Sequence, residues 1–194
     1  PEDVLAEGDA IDPGRDLADQ RRRDLTAVPT ITIDDSWTQD RDDALSLEVE
    51  DSKVYRIGVH IADAGSVVKQ GSLLDREADR RMSSLYLPER SISMLPPAIA
   101  GDKGSLVPGQ RRLGLSVVAR VTADGDILDW EVAPSVVTNR AALTYQEVDA
   151  AIDDPQADLH EELSALVAIS LALRAKRESA GAVNLDRDEL SVKV

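Results

Sequence analysis

The chain has 194 residues, 42% hydrophobic and 30% charged, with 22 Lys and Arg against 37 Asp and Glu for a formal net charge of -15. That length and apolar content suffice for a core, so a globular chain of one or two domains is expected and a disordered one is excluded. The absence of cysteine excludes disulfides, zinc–thiolate sites and iron–sulfur clusters, and the acidity by itself argues against a nucleic-acid partner, which draws on clustered positive charge.

No basic-then-apolar leader and no apolar run long enough to cross a bilayer is found, which predicts a cytoplasmic protein without a membrane partner. A start at Pro1 rather than Met predicts an end that has been processed or cut. Phe is absent and aromatics make up 3%, so the core must be built from Leu, Val, Ile and Ala.

In chain order, residues 1–24 are polar with an Arg run at Arg21, Arg22 and Arg23, and residues 1–22 are read as a lead-in segment. The β-branched "TITI" at 30–33 predicts a strand. Leu45, Leu47 and Val49, then Tyr55, Ile57, Val59 and Ile61, alternate about the turn "EDSK", which predicts a hairpin. "SLLD" at Ser72 has the form of a capping box before a short helix, and "SISMLPP" at 91–97 reads as extended and Pro-broken. Alternation from Leu113 to Val121 predicts a strand, the Asp124-Gly125-Asp126 turn follows, and residues 127–132 return. "TYQE" at Thr144 opens a second helix, and Leu159, Leu163, Leu166, Val167 and Leu173 mark a longer one that Gly181 can end. The fold class is α+β, a mixed or antiparallel sheet packed with helices.

The stretch "TIDDSWTQDRDDAL" places Asp34, Asp35, Asp40, Asp42 and Asp43 within ten residues after the first strand. A solvated acidic loop is the ordinary explanation of such a run. Fixing both ends of the loop in strands concentrates negative potential, and a hard divalent cation offsets that. An EF-hand is excluded because "DRDDALSLE" lacks the Gly of that loop's sharp turn. Mg²⁺ or Mn²⁺ held by carboxylates with positions open to phosphate is the arrangement that cleaves phosphodiesters, though a structural ion fits the spacing equally and no general base stands out. His60 and Asp63 in "GVHIAD" are read as structural, since alternation sets His60 on a strand beside core residues.

The stretches "RRDLTAVPTITIDDSWTQDRDDALSLE" and "YRIGVHIADAGSVVKQGSLLDREADRRMSSLYLPERSISMLPP", followed by "LTYQEV" and "RESAGAVNLD", resemble the RNB catalytic domain of the ribonuclease II and ribonuclease R family. Their core is a D-x(5)-D-x-D-D pattern. The resemblance implies an RNB-type domain, here its N-terminal part over residues 23–194, that hydrolyses single-stranded RNA from 3′ to 5′ to nucleoside 5′-monophosphates. It implies Mg²⁺, or Mn²⁺ in its place, at Asp34, Asp40, Asp42 and Asp43. Asp34 and Asp43 map to the principal ligands, Asp40 to a supporting position and Asp42 to the residue whose change to Asn stops cleavage, with Asp35 outside the set. Tyr86 of "YLP" maps to a Tyr that stacks on the terminal base, and Tyr145 to a second RNA contact.

Arg21, Arg22, Arg23, Arg80, Arg81, Arg90, Arg111 and Arg112 are candidates for phosphate contacts or for balancing nearby acids. By the same resemblance, the remaining part of the RNB domain and accessory RNA-binding domains are expected in the same polypeptide, and bound cations and basic domains reconcile the net charge with RNA. The competing expectation is a non-catalytic RNA-binding or protein-interaction module derived from the fold.

Overall fold

In the computed structural model, which describes residues 1–87 and 90–185, two short helices, α1 (Glu2–Ala10) and α2 (Gly14–Leu17), precede strands β1 (Arg23–Asp34), β2 (Asp43–Val49) and β3 (Val54–Ala62). Helices α3 (Ala64–Val67) and α4 (Leu73–Arg81), a two-stranded hairpin of β4 (Leu85–Tyr86) and β5 (Ser91–Ile92), and a π-turn (Ile99–Lys103) come next. Strands β6 (Arg111–Thr122) and β7 (Ile127–Thr144) and helices α5 (Tyr145–Asp153) and α6 (His160–Ser179) complete the order. Pro88 of "YLP" and Asp186 of "RESAGAVNLD" lie outside the described residues.

The five long strands close into a barrel in the order β1-β2-β3-β6-β7. An odd number of strands in up-and-down order can close only if one pair runs parallel, and that pair is β1 with β7. Strand β7 pairs with β6 through residues 127–138 and with β1 through residues 135–144, so one bent strand serves two neighbours. Closure leaves no free sheet edge among these strands. The turn from β6 into β7 needs Gly125, whose φ is +79° and whose Cβ would come within 2.9 Å of the Ala172 backbone in α6.

The predicted hairpin forms, with Leu45 opposite Val59 and Leu47 opposite Ile57. Its faces are reversed from a simple apolar-inside reading. Gly58 and His60 point into the barrel, whereas Val59 and Ile61 are 37% and 44% exposed. A five-stranded barrel has a narrow interior, which small or hydrogen-bonded side chains fill. The His60 Nε2 lies 3.0 Å from Ser46 Oγ, its Nδ1 lies 2.7 Å from Ser116 Oγ, and Ser116 Oγ lies 2.6 Å from Ser135 Oγ. A Cβ at Gly58 would sit 2.4 Å from Ser46 Oγ and 2.5 Å from His60 Nε2, so this position admits only glycine. Burial holds the His60 imidazole down at about 4, neutral at physiological pH. The structural role read for His60 is what the barrel shows. Asp63 is structural too: it caps α3 by accepting from Ser66 N–H at 3.1 Å and pairs with Arg22 at 2.8 Å.

The apolar outer face is covered in part by α6, where Leu47, Val121 and Ile169 pack with Tyr55, Ile57, Ala119, Leu166 and Leu173. Residues 1–22 are more than a polar lead-in. Val4 of α1 joins Val67, Leu74, Ile99, Leu113 and Val136 in one core cluster, and Glu7 accepts a hydrogen bond from Leu74 N–H at the start of α4. Ser72 caps α4 by accepting from Asp75 N–H at 3.1 Å, but the Asp75 carboxylate accepts from Gly71 N–H and leaves the predicted box half closed. The second box is complete: Thr144 and Glu147 satisfy each other at the start of α5.

Candidate acidic site and its cleft

Strand β1 ends at Asp34 and β2 begins at Asp43, so the intervening loop must turn the chain back while carrying Asp40 and Asp42. Its path is fixed by backbone clamps far away in sequence. Arg41 N–H donates to Ser105 Oγ at 2.9 Å, Leu106 N–H donates to the Arg41 carbonyl at 2.9 Å, and Ala62 N–H donates to the Asp42 carbonyl at 2.8 Å. Ser105 and Leu106 are fully buried, which makes them the anchor of the acidic loop. Sequence patterning missed both, because "GDKGSLVPG" has no periodicity that distinguishes an anchor from a surface turn.

The loop brings the four aspartates into electrostatic contact. Burial raises the Asp34 carboxyl above its ordinary value; the Arg41 charge and a hydrogen bond with the Thr32 side chain oppose this, and Asp43 and Asp40 add to it. Asp42 is raised by desolvation first and then by Asp40, Asp43 and Asp34. Asp42 is exposed as a residue, so the desolvation of its carboxyl is partial. Asp35 is not among the charges acting on either. Asp34 Oδ2 and Arg41 Nε are buried atoms without a hydrogen-bond partner. Among the described residues, no three acidic or histidine side chains converge as a formed metal cage.

The sign of these shifts sets a stability expectation. A carboxyl whose folded value is raised binds its proton more firmly in the folded state, so stability falls as pH rises from about 4 through the raised values. In chelator, Asp42→Asn should therefore melt at a higher temperature than the parent at neutral pH, with the gap closing near pH 3. Melts at the two pH values check this, and an equal or lower melting temperature at neutral pH would contradict it.

Tyr86, 64% exposed, lies at the same place: its hydroxyl donates to Asp40 Oδ2 at 2.6 Å. That hydrogen bond, then burial and the Asp40 charge, raise the phenol above its ordinary value. Tyr145 is the first residue of α5, one position past Thr144, which pairs with Asp34 across β1 and β7. It is 54% exposed at the same end of the barrel. A cleft of about 920 Å³ opens beside the loop, lined by Trp37, Asp40, Arg41, Tyr86 and Arg90 among others.

Arg41 and Arg90 are thus the arginines at the cleft. Arg80 and Arg81 are both engaged by Glu77, Arg22 by Asp63, Arg21 by Asp19, Arg23 by Glu131 and Arg112 by Asp102. Arg111 donates to the Leu17 carbonyl at 3.3 Å.

The acidic loop at one end of the barrel, Tyr86 on the Asp40 carboxylate and the cleft beside them form one candidate site. Residues 22–194 match the RNB domain family, and the chain belongs to it. The chain is 38% identical over 202 residues to Ribonuclease R of Thermotoga maritima, covering 99% of this chain and 28% of the relative. It is 34% identical over 186 residues to an Arabidopsis thaliana protein named Inactive exonuclease DIS3L2, covering 88% of this chain and 18% of the relative. Among solved structures, Mycoplasma genitalium RNase R in complex with ribose-methylated single-stranded RNA superposes with a TM-score of 0.91 at 23% identity, over 100% of this chain and 31% of that one. The chain thus spans less than a third of these relatives' length. No described helix is long and apolar enough to cross a membrane.

Proposed function

We propose that the chain carries the acidic part of a hydrolytic 3′ to 5′ exoribonuclease site acting on single-stranded RNA and releasing nucleoside 5′-monophosphates. The observation that carries this reading is the buried, unpartnered Asp34 Oδ2 at a strand end where three further carboxylates act on one another. Hard oxygen donors in that state fit a hard divalent cation, Mg²⁺ or Mn²⁺. Asp34, Asp40, Asp42 and Asp43 would hold it, and it would supply a nucleophilic water and neutralise charge on the phosphate. Asp34 and Asp43 would be its principal ligands. Tyr86 keeps Asp40 oriented through its hydroxyl while its exposed ring offers a stacking face to the terminal base. Tyr145 contacts the strand nearby, and Arg41 tempers the repulsion at Asp34. Ribonuclease R relatives support the exoribonuclease class of this reading. The remaining RNB domain and accessory RNA-binding domains belong to the same polypeptide in this reading, with the cytoplasm as its location.

The test uses single-stranded RNA labelled at either end, with Mg²⁺. The expected result is immediate release of the 3′ label as mononucleotide, progressive shortening of the 5′-labelled strand, and loss of both in chelator. A second reading, a non-catalytic RNA-binding or interaction module, is favoured by the relative named as inactive. RNA that is bound but persists at full length in Mg²⁺ would establish that second reading instead.

A further inference from the structure

We propose that Trp37 is a second nucleobase-stacking platform in the cleft, acting beside Tyr86 on single-stranded RNA; this rests on the RNA-binding reading of the same site. Trp37 lies in the acidic loop three residues before Asp40, and the residue is 76% exposed. It shares the concave cleft with a second exposed aromatic, Tyr86, so a flat apolar ligand could cover both rings. The loop holds Trp37 there. Thr38 N–H donates to the Asp35 carbonyl at 3.0 Å, and the Arg41 clamp onto Ser105 and Leu106 fixes the other side.

The cleft's composition selects the ligand class. Two exposed aromatic rings, Trp37 and Tyr86, share about 920 Å³ with Arg41 and Arg90. Flat apolar faces interleaved with guanidinium groups suit alternating bases and phosphates. Stacking is sequence-tolerant because every base has a π face, so Trp37 contributes affinity without a base code.

The sequence has two tryptophans, and the other, Trp130, lies on β7 paired with Ala119, outside the cleft. A Trp130→Phe background therefore leaves Trp37 as the sole indole reporter. Titrating this chain in EDTA with a ten-nucleotide oligoadenylate should quench its emission saturably, while an abasic strand of equal length and charge should not. Read by fluorescence anisotropy of a dye-labelled oligoadenylate, Trp37→Ala should weaken binding about 5- to 150-fold and Trp37→Phe about 3-fold or less. Equal quenching by the abasic strand, or unchanged affinity in Trp37→Ala while Tyr86→Ala weakens binding, would overturn the role of Trp37 and leave the RNA reading standing. No oligoadenylate binding by the parent chain would overturn both.

Discussion

Replacing Asp42 by Asn should leave single-stranded RNA bound and slow its hydrolysis on the order of 10³-fold. The substitution keeps the side chain's shape, removes one charge and replaces one acceptor oxygen by an NH₂ donor. The backbone of residue 42 is fixed independently, through the bond from Ala62 N–H, so the loop keeps its path. What changes is the charge at residue 42, on which Asp40, Asp43 and Asp34 act. The same variant should gain stability at neutral pH without metal, because a repelling carboxylate has gone. Opposite signs for activity and stability in one variant separate a functional carboxylate from a merely structural one. Time courses of 5′-labelled RNA beside a binding isotherm provide the comparison. Undiminished hydrolysis would remove Asp42 from the site.

The second large effect lies in the scaffold. Ile31 is fully buried in β1, opposite Leu45 of β2 and beside Ala141 of β7, three residues before Asp34. Ile31→Ala should lower unfolding stability by about 2–5 kcal/mol, and Ile31→Val by about 0.5–1.5 kcal/mol, through lost burial and the cavity left behind. Because β1 joins the antiparallel and parallel seams of the barrel, its loosening should also weaken the position of Asp34. Denaturant titration of both variants measures the gradient. Equal midpoints for Ala and Val would show that the strand end relaxes around the gap.

Much of the local structure was readable in advance because its signals are local. The β2–β3 hairpin follows from alternation, and Ser72 and Thr144 announce α4 and α5 through side chains that meet backbone donors three residues on. Barrel closure was not readable. The second half of β7 runs through Pro134 and small polar residues with no clean alternation, and its partner β1 lies more than 100 residues away. The helix α1 was hidden by its polarity, since among its residues only Val4 and Gly8 are buried.

Alternation located the strands but left open which face is interior, because a narrow barrel reserves its interior for Gly58, His60 and serines while α6 covers apolar residues outside. The site divides along the same line. The four aspartates are close in sequence and stand out there, whereas the Ser105 and Leu106 anchor depends on a fold-level contact. Trp37 becomes informative only once its exposure beside Tyr86 is seen.

The most direct measurement of the central claim is Mn²⁺ binding to the chain, followed by electron paramagnetic resonance in parent, Asp34→Asn and Asp43→Asn proteins. The acidic loop as a divalent-cation site predicts saturable binding by the parent and its loss, or a fall of about tenfold or more, in each variant. Binding that is absent in the parent, or unchanged when Asp34 and Asp43 are neutralised, would contradict it.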